Sequence, residues 1–197
     1  VGFVAAKVDT LGYRMTFNLS KGTGTIITNI AVISKKDLAR SLVNMEPVFA
    51  RNLGMGQKVA LLREGQSVGG YKVQHGCIAF ATVCSVTVNG IMLDQGVPVT
   101  SRFGGLVEIR DGVPARFVEL IEYGGTTVDP LEAFIRAGMT RVRECTRTGS
   151  GIIGASFREV PSVALEDVRR IRQDMERLGL SGILAIGKPN RPLLDNP

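Results

Sequence analysis

Leu106-Val-Glu-Ile-Arg-Asp-Gly-Val-Pro-Ala-Arg-Phe-Val-Glu-Leu-Ile-Glu-Tyr123 decides the fold class of this 197-residue chain. Two apolar-rich runs, Leu106 to Arg110 and Ala115 to Tyr123, flank Asp111-Gly112. Both residues of an Asp-Gly pair tolerate positive φ, which a tight hairpin turn requires. The stretch therefore predicts antiparallel pairing.

Working outward, helices interleave with strands. Cys77 to Val83 is apolar without alternation, the pattern of a strand covered on both faces. Ser85 to Gln95 reads as a short helix closed by Gly96, although Asn89 and Gly90 are poor helix formers. Asp129-Pro130 is a cap followed by proline at the first helical position, with Gly138 as the stop. Arg141 to Thr146 and Ile152 to Phe157 read as strands. Ala164, Val168, Ile171, Met175 and Leu178 recur at helical spacing up to Gly179. Gly182 to Ile186 reads as a final strand.

Upstream, Val1 to Lys7, Tyr13 to Leu19, Thr25 to Ile33 and Val59 to Leu62 read as strands. Ser34 is expected to cap a helix carrying Leu38, Leu42, Met45, Phe49 and Leu53, kinked at Pro47 and closed by Gly54 or Gly56. The fold class is therefore α/β of the mixed-sheet, α+β-like kind, in one domain over residues 1–197. Subdomains 1–75 and 76–197 are a possible division. Because the first residue is Val1, a domain cut from a longer protein is expected.

The chain has 24 glycines and a formal net charge of +6. That charge invites a nucleic-acid reading, but it is diffuse. Residues 1–98 carry ten basic and five acidic side chains, and residues 99–197 carry fourteen and thirteen. The helix after Pro161 balances its arginines, with Glu166–Arg170 and Arg172–Glu176 spaced as i,i+4 pairs. One basic feature does not cancel. If Arg141 begins a strand, Arg141, Arg143, Cys145 and Arg147 share a face. Such a face suits a dicarboxylate held by guanidinium forks, or equally an edge strand guarded by charge.

Three cysteines, Cys77, Cys84 and Cys145, are too few and too odd in number for a disulfide framework. They point to a reduced, cytoplasmic chain. No run of 18 apolar residues exists, so no membrane partner is expected. One histidine, His75, makes a metal site or a histidine-based catalytic triad improbable on composition. Neither a phosphate-binding P-loop nor a dinucleotide fingerprint is present. Cys84, beside a helix N-terminus, is the one thiol in an environment that could activate it, and a buried small hydrophobe fits it as well. A Cys84-dependent enzyme on a carboxylate substrate stays open on these residues alone.

Longer words carry more. Thr82-Val-Cys-Ser-Val-Thr-Val-Asn-Gly90, Gly96-Val-Pro-Val-Thr100 and Arg102-Phe-Gly-Gly-Leu-Val107 resemble the NrpR family of archaeal repressors of nitrogen-assimilation genes. So do Asp129-Pro130-Leu131, Ile135-Arg-Ala-Gly-Met139, Gly154-Ala-Ser-Phe-Arg-Glu159, Ile186-Gly-Lys-Pro189 and Pro192-Leu-Leu194. The resemblance implies a regulatory domain that forms a homodimer and answers to 2-oxoglutarate, with no cofactor and no catalysis. It implies that operator DNA is met only through a winged-helix domain lying outside this chain, and that the ligand lowers operator affinity. A dimerisation module without a ligand is the alternative.

2-Oxoglutarate is a dianion with a keto oxygen, so its site needs cationic forks, hydroxyls and backbone N–H groups. The family words supply Cys84, Ser85, Thr87, Asn89, Arg102, Gly104, Gly105, Ser156 and Arg158, and the basic stretch adds Arg147. For the glycines, plain backbone geometry is an equal explanation. For Ser156, a buried hydroxyl bonded to backbone is an equal explanation.

Overall fold

A computed structural model describes residues 3–196. Its elements are α1 (Val4–Arg14), β1 (Thr28–Ser34), α2 (Leu38–Ala50), β2 (Val59–Leu62), β3 (Ser67–Val68), β4 (Tyr71–Lys72) and β5 (Cys77–Val83). There follow α3 (Val86–Asp94), β6 (Thr100–Arg110), β7 (Val113–Glu122), α4 (Pro130–Arg136), α5 (Val142–Thr148), β8 (Gly151–Glu159) and α6 (Leu165–Arg177). The class is mixed α/β, with helices interleaved among antiparallel sheets. Two sheets have three strands, ordered β1-β5-β2 and β7-β6-β8, and β3-β4 is a small hairpin. Because β5 pairs with both β1 and β2, the first sheet draws strands from both sides of residue 75.

The hairpin is β6-β7. Asp111 and Gly112 both take positive φ, 49° and 80°, as the turn needs. Where the register shifts, Val118 and Ala115 are extra residues of β7, and these bulges bend that strand. β5 occupies the predicted Cys77 to Val83 and is buried over most of its length, as a central strand should be. Asp129 accepts hydrogen bonds from the Leu131 and Glu132 amides and starts α4 as expected. On α6, Val168, Ile171 and Met175 are buried and join Phe17, Val88, Ile91, Met92 and Leu180 in the principal core. Its outer face carries Arg172–Glu176 and three i,i+3 pairs, in which Arg170 chooses Asp167 rather than Glu166.

Several expected elements differ. Residues 4–14 are helical, not extended: Val4, Val8 and Gly12 stack at helical spacing, and burial of that face outweighs the β-preference of valine. Val1 and Gly2 lie outside the described residues. Tyr13 to Leu19 pairs only through one isolated bridge, Asn18 to Thr23, because Phe17 and Leu19 are committed to the core. Ser34 ends β1 and makes no side-chain cap; a single 3-10 turn over Lys35–Asp37 leads into α2. α2 runs through Pro47 and stops at Ala50, with Asn52 rather than a glycine taking the left-handed turn.

The expected strand Arg141 to Thr146 is instead helical from Val142, with Arg141 at the N-cap position. Val142 and Cys145 form its inner edge, and Gly149 stops α5 at φ 82°. The shared strand face of Arg141, Arg143 and Arg147 therefore does not exist; all three side chains are exposed on or beside a helix. Gly182 to Ile186 joins no sheet. Its apolar side chains instead pack between the two larger core clusters.

A carboxylate latch holds the β4-β5 connection. Glu64 accepts from Lys35 Nζ and meets His75 Nδ1, each at 2.6 Å, and accepts from the Gly76 amide at 3.2 Å. These donors lower its pKa from 4.5 to about 2. The unfolded chain binds that proton first, so the latch stabilises above pH 4.5 and fades as pH falls toward 2. Glu64→Gln should therefore be less stable than wild type at about pH 6 and lose that difference by about pH 2 in denaturant titrations. A difference that stays constant over this range would contradict the latch.

Candidate functional site

A cavity of about 450 Å³ lies between β8, the first turns of α3, residues 53–55, the start of α6 and the terminal segment 182–194. Its walls are mostly aliphatic. Among the described residues that line it, the charged ones are Arg158, Lys188, Arg191 and Glu159.

Arg158 is the best-built of these. It sits on β8 opposite Ser101 of β6 and runs beneath α3. Its Nε donates to Asn89 Oδ1 at 2.7 Å and its Nη2 to the Ser85 carbonyl at 2.8 Å. Nη1 reaches the Ser156 carbonyl at 3.5 Å. Asn89 is held in turn by a bond from Nδ2 to Ser101 Oγ at 2.9 Å. Every acceptor is neutral, and among the described residues no carboxylate lies within 4.0 Å of the guanidinium. Burial pushes its pKa down, while the fields of Tyr123 and Cys84 push it up. A half-buried cation without a counter-ion is the arrangement that an incoming anion completes.

Beside it, Ser156 Oγ and the Tyr123 hydroxyl lie 2.9 Å apart. Burial raises the Tyr123 pKa. Burial also raises that of Cys84, against smaller pulls from the Val86 amide and Arg158. A thiol shifted upward is the opposite of an activated nucleophile. All three cysteines are free thiols.

The expected site residues divide. Ser85, Ser156 and Arg158 line the cavity, and Asn89 and Cys84 stand just behind them. Thr87 is fully buried and latches the chain at Ile27, donating to its carbonyl at 3.1 Å and accepting from its amide at 3.3 Å. Arg102 is the bulged residue between Ser101 and Phe103. Its Nε lies 3.6 Å from Glu159, and its guanidinium sits over the Phe103 ring. Arg102 thereby offsets the one lining carboxylate but does not itself line the cavity.

Gly104 and Gly105 sit mid-strand, and packing explains them. A Cβ on Gly104 would lie 2.8 Å from Pro130 Cβ and 3.0 Å from the Tyr123 hydroxyl. One on Gly105 would lie 2.5 Å from the Glu119 carbonyl. Arg147 is exposed on α5 and away from the lining set. Lys188 and Arg191 are the lining cations that sequence reasoning missed. Lys188 stands inside the Ile186-Gly-Lys-Pro189 word, so the signal was present but carried no role.

The family described as NrpR regulatory domains NRD1 and 2 matches residues 1–197. The chain belongs to this family. It is 32% identical over 196 residues to the global nitrogen regulator NrpRI of Methanosarcina mazei, covering all of this chain and 60% of that protein. It is 31% identical over 180 residues to the global nitrogen regulator NrpR of Methanocaldococcus jannaschii, covering 91% of this chain and 29% of that protein. This chain thus spans between about a third and three fifths of these NrpR regulators. A crystal structure of a nitrogen repressor-like protein from Methanococcus jannaschii superposes with a TM-score of 0.80 at 27% identity, over 99% of this chain and 78% of that one. As an NrpR regulatory domain, the chain is related to proteins named as regulators rather than enzymes. Among the described residues no helix is long and apolar enough to cross a membrane.

The packing around Gly104 can be tested directly. Gly104→Ala should destabilise by about 1–3 kcal/mol through overpacking against Pro130 and Tyr123. Gly154→Ala, whose Cβ would meet only Leu131 at 3.4 Å, should change chemical-denaturation midpoints little. Equal effects would remove the packing explanation.

Proposed function

We propose that residues 1–197 form one effector-sensing and dimerisation domain of a repressor of nitrogen-assimilation genes, and that the cavity beside Arg158 takes 2-oxoglutarate. The observation that carries this reading is the Arg158 guanidinium, half-buried, bonded only to neutral acceptors and placed at the cavity wall. One carboxylate of the dianion meets Arg158, with Ser156 Oγ beside it. Lys188 and Arg191 offer charge to the other end from the terminal segment. The aliphatic walls exclude water and strengthen these contacts.

The energetics are modest. A sensor of a millimolar metabolite needs only about 4–6 kcal/mol of binding free energy. Two charge-assisted contacts at roughly 1.5–3 kcal/mol each suffice before ordering costs. Regulation then requires that the ligand favour one dimer geometry, and a coupling of about 1–3 kcal/mol is ordinary. Operator DNA is reached through a separate winged-helix reader, in the cytoplasm. α2 supports the dimer reading: none of its thirteen residues is fully buried, and Leu42 and Val43 are exposed, as are Val59 and Leu61 of β2.

Calorimetric titration of the chain with 2-oxoglutarate should show binding. Arg158→Gln should weaken it by about tenfold or more, and Arg102→Ala should leave it within about threefold. A dimer that ignores several millimolar ligand would leave dimerisation as the domain's role.

A further inference from the structure

Asn89 is 2% exposed, and both polar atoms of its carboxamide are hydrogen-bonded. The orientation of that amide follows from its partners. Arg158 Nε can only donate, so Oδ1 must face it, and Nδ2 is left to donate to Ser101 Oγ. Asparagine is a poor choice for the middle of a helix, and the fold nonetheless places it in α3. Aspartate has the same shape and would form an ion pair with Arg158. The fold instead offers a neutral oxygen, and the other acceptors of Arg158 are the carbonyls of Ser85 and Ser156. Together they hold the guanidinium in place without cancelling its charge. Ser101 is reached from β6, so the aim of Arg158 is set by two elements and not by its own strand alone.

We infer that Asn89 is a positioning residue: it touches no ligand, but it both aims Arg158 and leaves the charge of Arg158 uncancelled, so that the cavity selects an anion. The inference rests on the proposal that this cavity is the effector site. It predicts that exchanging one atom of the amide, nitrogen for oxygen, converts the site from anion-accepting to anion-refusing. In Asn89→Asp the new carboxylate pairs with Arg158, and an incoming anion meets a neutral pair instead of a cation.

The test uses the full chain with two readouts. In calorimetry, Asn89→Asp should weaken 2-oxoglutarate binding by about tenfold or more while keeping the wild-type circular dichroism spectrum. Wild-type affinity in Asn89→Asp overturns the inference. The second readout needs no effector. Arg158 pulls the Cys84 thiol pKa down, so the pH profile of Cys84 alkylation reports where the guanidinium sits. In a chain carrying Cys77→Ser and Cys145→Ser, both Asn89→Ala and Arg158→Gln should move that profile to higher pH. A shift in Arg158→Gln with none in Asn89→Ala overturns the inference whatever the ligand. If wild type ignores 2-oxoglutarate while Asn89→Ala still shifts the profile, the ligand assignment fails and the hold of Asn89 on Arg158 stands.

Discussion

A guanidinium leaves water only where its N–H groups find acceptors, and the requirement at Arg158 organises the middle of this molecule. To supply Asn89 Oδ1 and the Ser85 carbonyl, α3 must begin directly after β5 and lie across β8. To supply Ser101, β6 must pair with β8 in the register that sets Ser101 opposite Arg158. The two three-stranded sheets are thereby tied at one point: β5 leads into α3, and α3 holds the side chain that rises from β8. The apolar core gives the bulk of the stability, but it does not specify this alignment. The hydrogen bonds do, because a small slip would leave a half-buried cation without acceptors.

The terminal segment adds a second link. Ile183 and Ile186 pack on the principal core, while Leu184 and Leu194 pack on the cluster around Val107 and Ile153. The same stretch carries Lys188 and Arg191 to the cavity. A molecule in the cavity therefore touches side chains that belong to both clusters. An effector can shift a conformational equilibrium only through contacts that differ between states. A segment with no ladder partner, set between two cores, is where such differences arise at low cost.

Much of the fold was legible in the chain. β2, β5, β6-β7, α3, α4 and α6 follow from apolar period, Asp-Gly turn chemistry, an Asp-Pro start and closing glycines. The failures share a cause. α1 and α5 are short helices whose buried faces are only Val4, Val8 and Gly12, or Val142 and Cys145, and β-branched content outvoted that sparse period. Residues 182–186 have strand composition, but they fill space between cores instead of pairing, and composition does not distinguish those fates. Of the residues that family words and donor chemistry single out, Ser85, Ser156 and Arg158 line the cavity and Asn89 holds Arg158 from behind it. That Arg102 lies outside the cavity lining follows from its bulge and its pairing with Glu159, which are tertiary facts.

α3 shows why local rules break where they do. Thr87, Asn89 and Gly90 are all weak helix formers, and their summed penalty is appreciable for nine residues. Each has a tertiary reason. Thr87 latches Ile27, Gly90 leaves room for the Met15 side chain, and Asn89 holds Arg158. A helix optimised for itself would carry alanine or leucine at these positions and would lose the latch, the close approach and the cation's acceptor. Consistency between local propensity and fold is the usual state of a natural sequence, so a dense run of exceptions marks a place where something else is selected. Two of the exceptions serve packing, Thr87 at Ile27 and Gly90 at Met15, and only Asn89 reaches the cavity, through the Arg158 guanidinium that it holds at the wall.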